Sequence, residues 1–232
     1  MKWVMRLVVL GFVLGMAWPA ASVKKGLEWV YSRPAGIEFT KSEVTVAQYR
    51  ACVKAGKCTK STPKNEDFIC NWSYKERADH PINCVDWKQA EAFCGWVGGR
   101  LPTEEEWFAE ASDKGSRVYP WGKEEVSCER AIWGGKENKF DGCGRNTTWP
   151  VCSRPTGNSV SGLCDMSGNV WEWTSSWYSK RYKYRMMRGG SWYYGGPPYL
   201  RASSRMWQDP STKSYILGFR CGRAVKPTPK GN

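Results

Sequence analysis

Ten cysteines and a single histidine are the groups in this 232-residue chain best suited to redox, metal or nucleophilic chemistry. An even cysteine count is what disulfides require in an exported protein. None of the cysteines has the paired spacing of a zinc site with nearby histidines, and His80 has no second histidine to share a metal or orient a proton transfer. A different kind of feature is Arg188 to Arg201, RGGSWYYGGPPYLR, which packs four glycines, two prolines and four aromatic rings into fourteen positions. Glycine lets a backbone turn tightly and approach a partner, and proline holds it there. With no histidine, carboxylate or cysteine, this is a shaped loop that presents rings and has nothing to move a proton. A second ring-rich stretch, Trp177 to Arg185, interleaves aromatics with Lys180, Arg181, Lys183 and Arg185.

The elements that must position these groups are partly legible. Thr45 with Gln48, Asp86 with Gln89, and Thr103 with Glu106 each have the spacing of a capping box, predicting three helices. Val46, Tyr49 and Val53 share a face of the first, and Trp87, Ala90, Phe93 and Val97 of the second. The third buries Trp107 and Ala111. Short strands are expected at Glu38 to Val44, Met186 to Arg188 and Gly218 to Cys221. Fifteen tryptophans and long Gly/Pro/Asn-rich segments predict an α+β core of large rings with little regular structure. Such long loops call for disulfide staples.

The chain divides into three parts. Residues 1–22 have a basic head, an apolar run from Leu7 to Trp18 and a small-residue exit, the pattern of a cleaved signal peptide. The run is shorter than the roughly 20 residues of a membrane span. Residues 23–225 form one domain, and 226–232 a basic Pro/Lys tail. The expected location is therefore secreted, periplasmic or cell-envelope. The formal charge is +13. A basic, ring-bearing surface suits single-stranded nucleic acid, but an exported chain rarely meets it. An anionic surface, an acidic partner or a merely solvated basic face is the expectation instead.

Five motifs stand in order: GRLPTEEEW (99–107), YPWG (119–122), GLCDMSGNVWEW (162–173), RGGSW (188–192) and LGFRC (217–221). Together they resemble the formylglycine-generating enzyme, or sulfatase-modifying factor, family over roughly Gly36 to Val225. The resemblance implies a variant of the C-type lectin fold. It also implies an oxidase that converts a client cysteine to formylglycine with copper and oxygen, the copper held by two thiolates after the GGS motif. Those positions are Tyr194 and Tyr199 here, and phenols are poor Cu(I) ligands. Copper is therefore not expected, although Trp171 and Ser191 match pocket residues of the family. The tyrosines either fill the vacated pocket or offer a contact surface.

The resemblance further implies structural calcium at Asp165, Gly168, Val170 and Glu172, whose carboxylates and carbonyls suit a hard cation. The alternative is that Asp165 and Glu172 hydrogen-bond donors in a tight turn. A second family calcium site would use Ala131, Ile132, Asp141 and Cys143, where only Asp141 supplies a side-chain oxygen. A disulfide between Cys94 and Cys221 is implied as well. Cys52 and Cys58 could close a small loop, and the other six cysteines stay unassigned. These readings point to a non-catalytic envelope component that binds a protein complex, peptide or glycan. The alternative is a periplasmic oxidase or maturation enzyme of other chemistry. The resemblance also includes iron-dependent relatives whose iron is held by three histidines, partly in an additional helical domain; a single histidine and no room for that domain all but exclude that chemistry here.

Overall fold

A computed structural model describes residues 26–61, 70–135, 140–193 and 196–225. The expected signal peptide and basic tail lie outside the described residues, as does Tyr194. Among the described residues, no helix is long and apolar enough to cross a membrane.

All three expected helices form: α1 (Val46–Lys54), α2 (Trp87–Trp96) and α3 (Glu104–Ala111). Each N-terminus is closed by a reciprocal capping box, as at Thr45, whose Oγ1 accepts from the Gln48 amide while its own N–H reaches Gln48 Oε1. This satisfies amides that the helix leaves without partners. A fourth helix, α4 (Pro197–Leu200), is a single turn. Tyr49 of α1 stacks on Phe93 of α2 at 5.7 Å, and Phe219 meets both edge-on.

The strands are β1 (Trp29–Ser32), β2 (Ile37–Thr40), β3 (Trp171–Ser179), β4 (Tyr184–Arg188), β5 (Met206–Gln208), β6 (Leu217–Gly218) and β7 (Gly222–Arg223). They form two small sheets, ordered β1-β2-β7 and β5-β4-β3-β6. Only β3 with β6 is parallel; the other pairs are antiparallel. The expected strand from Glu38 stops at Thr40, and of the one expected from Gly218 to Cys221 only Gly218 is strand, closing β6, while β7 opens just beyond it at Gly222. Sequence reasoning missed β3, the longest strand: Trp171-Glu172-Trp173-Thr174 does alternate apolar and polar, but all four are buried, Glu172 against Arg220 and Thr174 on the Met186 carbonyl, so the alternation does not mark a water-facing side.

Five disulfides staple the loops: Cys52–Cys58, Cys70–Cys84, Cys94–Cys221, Cys128–Cys143 and Cys152–Cys164. The Cys94–Cys221 bridge ties α2 to the segment between β6 and β7 across 127 residues.

Candidate functional site

The Gly-rich loop leaves β4 at Arg188, which is buried, pairs with Glu104 at 3.1 Å and donates to the Ala202 and Ser204 carbonyls. Its glycines are needed for close approach. Gly190 has φ 79°, and a Cβ there would lie 2.9 Å from the Tyr199 carbonyl oxygen and 2.8 Å from Leu200 Cδ2. The loop therefore folds back so that its two halves touch.

Of the expected pocket residues, Trp171 and Ser191 are buried and do not open to solvent. The Trp171 Nε1 and Ser191 Oγ atoms have no hydrogen-bond partner. Tyr199, in contrast, is 41% exposed on α4. The structure thus brings Trp171 and Ser191 into the core and places Tyr199 at the surface. Tyr193, next in the loop after Trp192, packs edge-on against Trp192 and Tyr215. A cleft of about 440 Å³ beside α4 is lined by Tyr119, Glu125, Val126 and Pro197. Its Tyr119 wall stacks flat on Trp121 at 5.0 Å, so the YPWG motif shapes this cleft.

None of the ten cysteines is free. The pair Cys143 and Cys152, the nearest thing to a substitute thiolate pair, belongs to two separate bridges. No cysteine is left to supply a Cu(I) thiolate, so the donor set does not fit copper. His80 is buried with Nδ1 2.8 Å from Thr148 Oγ1, and burial pushes its pKa down to about 4. It is neutral at physiological pH and serves the packing of the Thr148 loop.

The segment from Asp165 to Glu172 forms a charged hub. Glu172 and Arg220 are both fully buried and face each other in a fork: Arg220 Nη2 donates to Oε1 at 2.6 Å and Nε to Oε2 at 2.7 Å. Trp107 Nε1 donates to the same Oε2 at 2.8 Å, tying α3 to β3. Glu43, which sequence reasoning did not single out, accepts from the Val170 amide and from Asn169 Nδ2. Asp165 Oδ2 accepts from the Cys152 amide at 2.6 Å. The neighbouring expected site packs directly on this hub. The Ile132 carbonyl accepts from the Asn169 amide, and a Cβ on Gly168 would lie 2.4 Å from that carbonyl oxygen. Asp141 sits in the loop beyond, its carbonyl accepting from Arg145 and Asn146, and Cys143 is bridged to Cys128.

The fit to calcium is partial. Among the described residues, no three His, Cys, Asp or Glu side chains converge to hold a metal ion. Arg220 already neutralises Glu172. Yet three buried carboxylates share the hub with one guanidinium, Arg220, which leaves the acids short of positive charge. Burial, reinforced by Asp165 and Glu172, holds Glu43 well above the usual carboxylate range. Burial likewise raises Asp165 to about 6. A cation with oxygen ligands would relieve both.

Known proteins give this arrangement a context. The profile of the sulfatase-modifying factor enzyme 1-like domain matches residues 31–225. The chain is 39% identical over 163 residues to the bovine (Bos taurus) protein named inactive C-alpha-formylglycine-generating enzyme 2, covering 67% of this chain and 54% of that protein. It is 34% identical over 196 residues to the mouse (Mus musculus) formylglycine-generating enzyme, covering 68% and 50%. The chain thus spans about half the length of the curated relatives it matches. The solved structure of PvdO from Pseudomonas aeruginosa superposes with a TM-score of 0.66 at 24% identity, covering 82% of this chain and 80% of that one. That likeness establishes the fold: an α+β, formylglycine-generating-enzyme-like variant of the C-type lectin fold.

Proposed function

The chain belongs to the sulfatase-modifying factor (formylglycine-generating enzyme) family, and from that premise we propose that it is a non-catalytic member that works by binding in the cell envelope. The observation that carries this reading is the state of the family's oxidase position. One of the two thiolate positions is an exposed phenol, Tyr199, and every cysteine is committed to a bridge. A bovine relative that shares 39% of aligned residues bears the name inactive, which supports the same reading. The ligand expected is an envelope protein, peptide or glycan, met by exposed rings such as Tyr199, because tyrosine supplies contact area at low entropic cost. Calcium near Asp165 and Glu172 is part of the proposal as a structural ion that neutralises the hub.

Two measurements test the reading. The first incubates the purified protein with copper, oxygen and a cysteine-containing sulfatase peptide. No aldehyde is expected, and loss of the thiol to an aldehyde overturns the non-catalytic assignment. The second is gentle extraction from the native envelope with sizing and mass spectrometry. Co-migration with one complex at fixed stoichiometry supports a structural subunit; elution as a free monomer removes it.

A further inference from the structure

The hairpin formed by β3 and β4 is buried at its base and exposed over its far half. We propose that this far half is a docking face for an anionic phospholipid bilayer.

Four rings stand in a row across three strands and the turn. Tyr178 stacks on Trp207 at 5.5 Å, Trp207 on Tyr184 at 4.4 Å, and Tyr184 on Tyr182 at 6.4 Å, all within 28° of parallel. They are not core rings: Tyr182 is 61% exposed, Tyr178 48% and Trp207 42%. The turn joining the strands adds Lys180, Arg181 and Lys183, all exposed, and none makes an ion pair among the described residues. From Trp173 to Gln208 the chain holds seven Lys or Arg and no Asp or Glu; Glu104 of α3 pairs with two of them, Arg188 and Arg205, and the three at the turn stay without an acid partner among the described residues. A positive hairpin tip with an aromatic row behind it is complementary to a negatively charged bilayer. Its cations would meet the headgroups, and its amphipathic Tyr and Trp rings the headgroup boundary.

The stacking decides against other anionic partners. A glycan or a single-stranded nucleic acid would lie on exposed ring faces. Here the inner rings, Trp207 and Tyr184, each have a ring on both sides, and Trp177 is capped by the Arg185 guanidinium at 3.5 Å, itself 3.8 Å from Trp87. The row offers edges and phenol oxygens, which a flat interface accepts.

This inference rests on the envelope placement proposed above, but vesicle binding tests the surface and fractionation tests the placement, so the two fail separately. The purified chain is sedimented with phosphatidylcholine vesicles with and without phosphatidylglycerol. Three versions are compared: the wild type, a Lys180→Gln/Arg181→Gln/Lys183→Gln variant, and a charge-matched Lys54→Gln/Lys57→Gln/Lys60→Gln control from α1 and its following loop. Binding of the wild type should require phosphatidylglycerol and weaken in raised salt. The hairpin variant should bind about a hundredfold less tightly while the control keeps most of its binding. Tyr182→Ser, which keeps every charge, should also weaken binding. The proposal is overturned if the two triple variants lose binding equally, or if phosphatidylglycerol makes no difference. Retention on heparin without vesicle binding also overturns it, in favour of an anionic glycan.

Discussion

The two ends of the β3–β4 hairpin treat charge in opposite ways. At the base, Glu172 and Arg220 are sealed together with Trp107, and each donor atom named above has its acceptor. At the far end, three cations face water with no acid in the surrounding sequence. A buried charge must be paired, because its desolvation cost is otherwise uncompensated. An exposed one carries no such requirement, so the fold does not need the unpaired cluster at the tip. The base is where mutation should damage folding, and the tip is where it should damage binding alone.

The largest test of that contrast is Arg220→Met, which strands Glu172 in the core. Urea denaturation should show a loss of about 3–5 kcal/mol, and adding Glu172→Leu should recover much of it because no lone charge remains. A loss below about 1 kcal/mol for the single variant, the size of an ordinary exposed pair, would mean that the base is no more committed than the tip.

Asp165 sharpens the comparison through pH. Its folded pKa is raised to about 6 from the ordinary value of 3.8, so between these the folded chain keeps a proton that the unfolded chain has already released. Stability carried by this group is therefore highest near pH 4 and is lost as pH rises through 6; Glu43, also raised, acts in the same direction. His80, lowered to about 4, acts oppositely, and comparing variants at Asp165 cancels it. In chelator at pH 7, Asp165→Asn should be more stable than wild type by on the order of 3 kcal/mol, the gap closing by pH 4. The asparagine oxygen can still accept the Cys152 amide. A pH-independent difference would remove the buried, unneutralised carboxylate from the account.

Calcium bears on the same hub. If the ion neutralises it, EGTA should lower the melting temperature, with a loss of about 2.7 kcal/mol where free calcium had stood a hundredfold above its Kd. No shift would leave Arg220 and the protonated acids as the whole answer. The smallest effect belongs to the tip: the Lys180, Arg181 and Lys183 substitutions should leave stability within about 0.5 kcal/mol of wild type. A larger loss would make the hairpin end structural and dissolve the distinction.

Local signals were read correctly where they were self-contained. A capping box needs only four consecutive residues, so the starts of α1, α2 and α3 could be seen in the sequence. The Cys94–Cys221 pairing and the fold came from motif resemblance, and Cys52–Cys58 from their nearness in the chain. The other three bridges were illegible because six cysteines allow many connectivities. In the Gly-rich loop, the glycine pattern predicted a close backbone approach, and Gly190 against Tyr199 is one.

What the sequence by itself determined is therefore chemical inventory and local geometry: an even set of cysteines, one histidine, capped helices and phenols where the family has thiolates. Only the tertiary structure decided which charges are sealed and which are offered. Glu43 was an unremarked residue in a short strand region until the fold carried it beside Asp165, Val170 and Arg220. Lys180 and Arg220 look alike in sequence, but one ends in water and the other in a fully buried fork. Burial depends on contacts between residues far apart in the chain, and those contacts set the desolvation cost that separates a structural charge from an available one.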